Sequence, residues 1–224
     1  SLVGKKGATS FTYVMSDKIS RERTFFQYRG ANAHFSEDSF NWDDIDCDLI
    51  HIAYILLLDE LDKEDREYGT KMARLLAHAK ERGIKTSIDV VSETGERFGR
   101  LVPPALRYTD SCIINEIEAS RSTGIQLRAE DGALIYENVK KVLSKLFELG
   151  VSEWAVIHSP EGGFGMDKDG DYAECGLVYT PSGFIKGKVG AGDAFCAGVL
   201  SAAHRGLSLL DAVKLGNAAA TVSL

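Results

Sequence analysis

From about Cys47 onward, short apolar runs alternate with segments of helical periodicity, and few architectures accommodate that order. The run 48-DLIHIAYILL-57 is nearly continuous in apolar residues, as expected of a strand buried on both faces of a parallel sheet. Behind it, Tyr68, Met72, Leu75, Leu76 and Ala79 recur at helical spacing, and Gly83 follows where a C-terminal cap belongs. Strands are expected again at 84-IKTSIDVV-91, 111-SCIIN-115 and 154-WAVIHS-159, with a segment broken at Pro103 and Pro104 between the first two. Ile135, Val139, Val142, Leu146 and Leu149 mark a helix closed by Gly150, and two more helices are expected near 191–205 and 209–223. Such alternation predicts an α/β fold, a doubly wound and mostly parallel sheet with helices on both faces.

The first thirty residues follow a different period. In 9-TSFTYVM-15, Phe11, Tyr13 and Met15 alternate with polar residues, 16-SDK-18 offers a turn, and 23-RTFFQY-28 returns as a second strand. A lone hairpin is marginal in water, so this one is expected to cover a pocket or to pair with another chain. The division expected is a part of a β lid over 8–30 and an α/β core over 31–224.

Charge and cysteine usage exclude several classes of function. The chain has 224 residues and a formal charge of −7, with its 26 Lys and Arg scattered, so no basic stripe is available to grip nucleic acid. No apolar run reaches membrane-spanning length and no signal-peptide layout is present, so a cytoplasmic protein without a membrane partner is expected. Cys47, Cys112, Cys175 and Cys196 form no CxxC pair and read as reduced thiols.

Chemistry concentrates in 187-GKVGAGDAFCAG-198. A Gly-Ala-Gly turn opening a helix leaves backbone N–H groups unpaired where the helix dipole adds positive charge, which is an anion site. Asp193 inside it either caps the helix or faces a substrate hydroxyl and takes its proton. Asn115 and Glu118, just after a strand, share one face of a first helical turn. They suit phosphate oxygens and the water shell of Mg²⁺, although on their own they read first as a capping box. The run 167-DKDGDY-172 misplaces the glycine and closing glutamate of a calcium loop and reads as a hairpin turn. No GxxxxGK[ST] is present, 162-GGFG-165 lacks the dinucleotide spacing, and the five histidines show no ligand spacing. His51 stands out among them because 50-IHIAY-54 brings it near a strand's carboxyl end.

Together, 111-SCIINEIEA-119, 187-GKVGAGDAFCAGVLSA-202 and 215-LGNAAATVSL-224 resemble, in this order, the Asn-x-x-Glu, Gly-Ala-Gly-Asp and Asn-Ala-Ala-Ala motifs of the PfkB-type, or ribokinase-like, carbohydrate kinases. The hairpin's return strand, 21-RERTFFQYRGAN-32, looks like that family's lid. The resemblance implies ATP-dependent phosphorylation of a hydroxyl of a small sugar or sugar-like molecule, with Asp193 as the base and Gly190, Ala191 and Gly192 donating N–H groups to the transferred phosphoryl. It further implies ATP and Mg²⁺ held through Asn115 and Glu118, the latter through water, with Gly163 and Asn217 beside the nucleotide. A monovalent cation also belongs to what the likeness implies, and the lone hairpin leads to the expectation of a homodimer through the lid.

The chain departs from the pattern at three places. Gly187, Lys188 and Val189 stand where the family has Asp-Thr-x, which removes an acid and leaves Lys188 near the phosphates. Pro160 replaces the first glycine of a turn. The family's N-terminal strand, acceptor-binding aspartate and Gly-Gly sugar motif are not in this sequence, and Ser1 and Leu2 read as a cloning remnant, so a longer natural protein is expected. Arg23, Arg29, Asn32 and Asp89 are candidates for acceptor selection. The alternative from another class is a noncatalytic nucleotide or sugar binder that acts through association.

Overall fold

A computed structural model describes residues 7–17, 23–92 and 95–224. The hairpin is formed by β1 (Phe11–Ser16) and β2 (Arg23–Tyr28), antiparallel with Tyr13 opposite Phe26 and Phe11 opposite Tyr28. That register puts Phe11, Tyr13, Met15, Phe26 and Tyr28 on one face, all of them exposed. The turn residue Lys18 and the expected first residues of the return, Arg21 and Glu22, lie outside the described residues.

After three short 3₁₀ turns come β3 (Leu49–Ile55), a small ribbon of β4 (Glu64–Asp65) and β5 (Gly69–Thr70), and α1 (Lys71–Glu81). Helix α1 forms where the spacing predicts it, but Tyr68 lies in the ribbon ahead of it, because the Thr70 hydroxyl accepts the Ala73 N–H at 3.1 Å and caps the helix there. Then follow β6 (Lys85–Val90), α2 (Arg97–Leu106), β7 (Ser111–Asn115), α3 (Glu116–Thr123), α4 (Tyr136–Glu148), β8 (Trp154–Ser159), β9 (Gly162–Asp167), β10 (Tyr172–Gly176), α5 (Ala191–His204) and α6 (Leu209–Ser223).

Six strands make the main sheet in the order β10-β9-β8-β7-β6-β3. The neighbours from β3 to β8 run parallel, and β9 and β10 are antiparallel additions. Residue alternation assigns the two faces. Ile52, Ile88, Cys112, Ile114, Ala155 and Ile157 join the core beneath α1 to α4, whereas Ile113 and Val156 pack with Phe195, Val199, Ala212 and Val213 of α5 and α6. The expected doubly wound α/β architecture is therefore present.

Two expectations need correction. Pro103 and Pro104 do not break the segment: α2 runs through both, since Phe98, Leu101, Val102, Ala105 and Leu106 are buried on one face and that burial outweighs two missing N–H donors. Strand β3 is not buried on both faces. It lies at the sheet edge, and only Ile52 and Ile55 of its residues are buried. The acidic run does form the turn between β9 and β10, where Asp167 Oδ1 accepts the N–H groups of Asp169 and Asp171. Helices α5 and α6 approach closely at Gly198, where an added Cβ would stand 2.8 Å from the Leu215 carbonyl oxygen.

Candidate active site

Alternation along the strands also selects what faces the start of α5. Ser87 and Asp89 on β6, Asn115 on β7 and His158 on β8 share parity with Ile113 and Val156, so they point to the α5 side of the sheet, and Asp89, Asn115 and His158 do so at its carboxyl end. Helix α5 begins at Gly190, whose φ of 84° lies in the left-handed region that a side chain disfavours. The turn Gly190-Ala191-Gly192 then presents N–H groups that have no acceptor within the helix. An added Cβ on Gly192 would stand 3.1 Å from the His158 ring, so the start of α5 rests on that imidazole.

Asp193 sits in the first turn of α5, exposed, and its Oδ1 accepts the hydroxyl of Tyr54 at 2.6 Å. Tyr54, the next-to-last residue of β3, adopts an unusual conformation with φ of 62°, and Leu56, just past the strand, has φ of 86°. Each such non-glycine residue costs about 1–2 kcal/mol of backbone strain. Beneath Asp193, His51 shares a hydrogen bond with Ser87 at 3.1 Å and lies 3.8 Å from the Cys196 sulfur. Burial lowers the His51 and His158 pKa values, the latter to about 4, while the Asp193 charge pulls each partly back up.

Asn115 and Glu118 form the capping box that their spacing allows. Asn115 Oδ1 accepts the N–H groups of Ile117 and Glu118, and Glu118 Oε2 accepts the Asn115 N–H at 3.0 Å. The other Glu118 oxygen accepts the Ser92 hydroxyl at 2.9 Å. Burial holds Glu118 up at about 7, and burial followed by repulsion from Glu118 and Asp193 holds Asp89 up at about 8. Among the described residues no lysine or arginine pairs with Asp89, Glu118 or Asp193, and no three His, Cys, Asp or Glu side chains converge to ligate a metal directly. A divalent cation retaining its water shell fits this donor set, since it relieves the repulsion without needing many protein ligands.

The other expected site residues lie apart from this cluster. Gly163 is buried in β9, where an added Cβ would stand 2.8 Å from Val213 and 2.9 Å from Phe195, so its bareness seats α5 and α6 on the sheet. Asn217, 5% exposed, donates to the carbonyls of Cys175 and Gly176 at 2.8 and 3.1 Å and ties α6 to the end of β10. Lys188 is exposed on the stretch 177–189, which contains neither helix nor strand. Arg29 pairs with Asp59 in the loop after β3. All four cysteines are free, with Cys112 and Cys196 buried.

Tyr54 is the site residue that sequence reasoning passes over. The only signal was its place at the end of 50-IHIAY-54, and attention there goes to His51.

Comparison with known proteins agrees with this architecture. Ribokinase from Thermotoga maritima superposes with a TM-score of 0.70 at 19% identity, over 96% of this chain and 63% of that one. Ribokinase of Arabidopsis thaliana complexed with ribose and ATP gives 0.71 at 19% identity, over 97% and 64%. Adenosine kinase from Trypanosoma brucei brucei gives 0.72 at 18%, over 96% and 64%. At these identities the likeness establishes the fold, and the chain spans less than two thirds of the length of each of these structures. None of the curated proteins matches the sequence. The profile of the pfkB family carbohydrate kinases matches residues 2–224, and with the Gly190–Asp193 turn at the head of α5 the chain belongs to that family.

Proposed function

We propose that the protein transfers the terminal phosphoryl group of ATP to a hydroxyl of a small sugar or sugar-like molecule. The observation that carries this reading is the carboxylate of Asp193 set beside the unpaired N–H groups of Gly190, Ala191 and Gly192. In the step proposed, Asp193 accepts the proton of the acceptor hydroxyl, whose oxygen bonds to the terminal phosphorus while the bond to the bridging oxygen breaks and ADP leaves. The N–H groups and the positive end of α5 stabilise charge on the transferred group. When bound, Mg²⁺ neutralises the phosphates; Glu118, through water, together with Asn115 is the proposed donor set. Lys188, Gly163 and Asn217 are assigned to the nucleotide side, Lys188 supplying charge from the exposed stretch before α5 and the other two shaping the floor formed by α5, α6 and β10.

Acceptor selection is assigned to the side of Asp89 and to the hairpin of β1 and β2, read as a lid. Structures of similar fold include an adenosine kinase, a ribokinase complexed with ribose and ATP, and a 2-dehydro-3-deoxygluconokinase, which supports a small sugar or nucleoside as acceptor. Gly187 offers no side chain to a monovalent cation, so that ion has no proposed ligand there.

The test is ADP release by the full-length protein against a panel of sugars and nucleosides with Mg²⁺ and ATP. Acceptor-dependent release is expected from the full-length protein. ATP binding with no release for any acceptor would favour the noncatalytic binder.

A further inference from the structure

We infer that Tyr54 is a positioning residue that fixes the Asp193 carboxylate for proton transfer, an inference that rests on the kinase reading above. The path of β3 carries the argument. Ile52 points into the core beneath α1 to α4, and regular alternation would send residue 54 to that same face, away from α5. Between Ile52 and Ile55 the pairing with β6 slips by a residue. After the slip it is Ile55 that enters the core, fully buried, while the Tyr54 hydroxyl reaches Asp193 Oδ1 at 2.6 Å.

The redirected turn is held from several sides. The Leu57 N–H donates to the Tyr54 carbonyl at 3.0 Å, the Leu56 N–H to Asp62 Oδ1 at 3.0 Å, and the Val91 N–H to the Ile55 carbonyl at 3.2 Å. Asp62 is itself buried, and Leu56 is completely buried. Backbone strain at Tyr54 and Leu56 is thus imposed by the surrounding fold and lies at the candidate site. Burial of the Tyr54 ring does not account for it, since the residue remains 40% exposed.

The contact has a direct chemical consequence. A phenol hydrogen bond to one carboxylate oxygen is charge-assisted, and it restricts the rotation of a side chain that would otherwise swing freely on an exposed helical turn. With Oδ1 taken, Oδ2 is left to receive the acceptor's proton. Burial, and then the bond to Asp193, push the Tyr54 ionisation upward, so the hydroxyl remains a donor across the working pH range.

A double-mutant cycle in the full-length protein tests this. Tyr54→Phe keeps the ring and removes the hydroxyl; it is expected to lower kcat about 10-fold with KM for ATP and acceptor within about twofold, and to add less than about twofold in the Asp193→Asn background. The same fold-loss in both backgrounds, or an unchanged kcat, overturns the inference. Urea midpoints of the same four proteins give a readout that needs no turnover: the shift caused by Tyr54→Phe shrinks in the Asp193→Asn background, whereas additive shifts refute the contact. A parent protein with no turnover removes the kinase reading and the catalytic role with it, and the urea cycle then separates that failure from a missing contact.

Discussion

His158 shows how a single buried residue ties stability to pH at this site. It stands where β8 meets the start of α5, its ring 5.1 Å from that of Phe195. Burial drops its pKa from the usual 6.5 to about 4, so the folded chain holds it neutral where the unfolded chain protonates it. The resulting penalty is absent above about 6.5, grows as pH falls, and is complete below about 4. Unfolding free energy should therefore drop by about 1–2 kcal/mol between pH 7 and pH 5 through this group. Denaturant titrations at the two pH values check it: the drop should be smaller by that amount in His158→Gln, and an identical drop in both proteins would show that His158 titrates normally. The residues of the cluster differ in how legible they were. Asp193, Asn115 and Glu118 announce themselves because a helix start is encoded locally, by Gly190 in one case and by an Asn-x-x-Glu cap in the other. Tyr54 gives no such sign, because its direction depends on a slip in pairing between β3 and β6, a tertiary event.

At the scale of elements, the same contrast separates α1, α4, α5 and α6 from α2 and β3. The first four carry unbroken periodicity between recognisable ends, such as Thr70 before α1 and Ser208, whose side chain accepts the Asp211 N–H before α6. Helix α2 was hidden by its two prolines, since the burial that rescues it is supplied by neighbours far along the chain. The hairpin was legible from alternation alone, and its aromatic face is now defined by Phe11, Tyr13, Met15, Phe26 and Tyr28. We propose that this face serves the lid as a homodimer contact, because exposed aromatic clusters of this kind are costly to leave in water. Scattering of the full-length protein should give a dimer mass, and Phe26→Glu should shift it toward monomer with little change in unfolding midpoint, since Phe26 is 55% exposed. A monomer mass in the parent at working concentration would remove the dimer from the account.

On the scale of the whole molecule, the sheet acts as a ruler that brings distant segments to one edge. Tyr54, Asp89, Asn115 and Asp193 come from four separate stretches, and all reach the carboxyl ends of the parallel strands or the helix start that faces them. Among the described residues the outer edge of β3 has no strand partner, and both faces of the hairpin are exposed. No helix among them is long and apolar enough to cross a membrane. Asp193, at the head of α5, is the proposed base of a phosphoryl transfer. The most direct measurement compares acceptor-dependent ADP release and ATP affinity in the full-length protein and in Asp193→Asn. Turnover should fall by about 10²–10⁴-fold with ATP affinity retained; turnover within a few-fold of the parent would contradict the assignment of Asp193 as base.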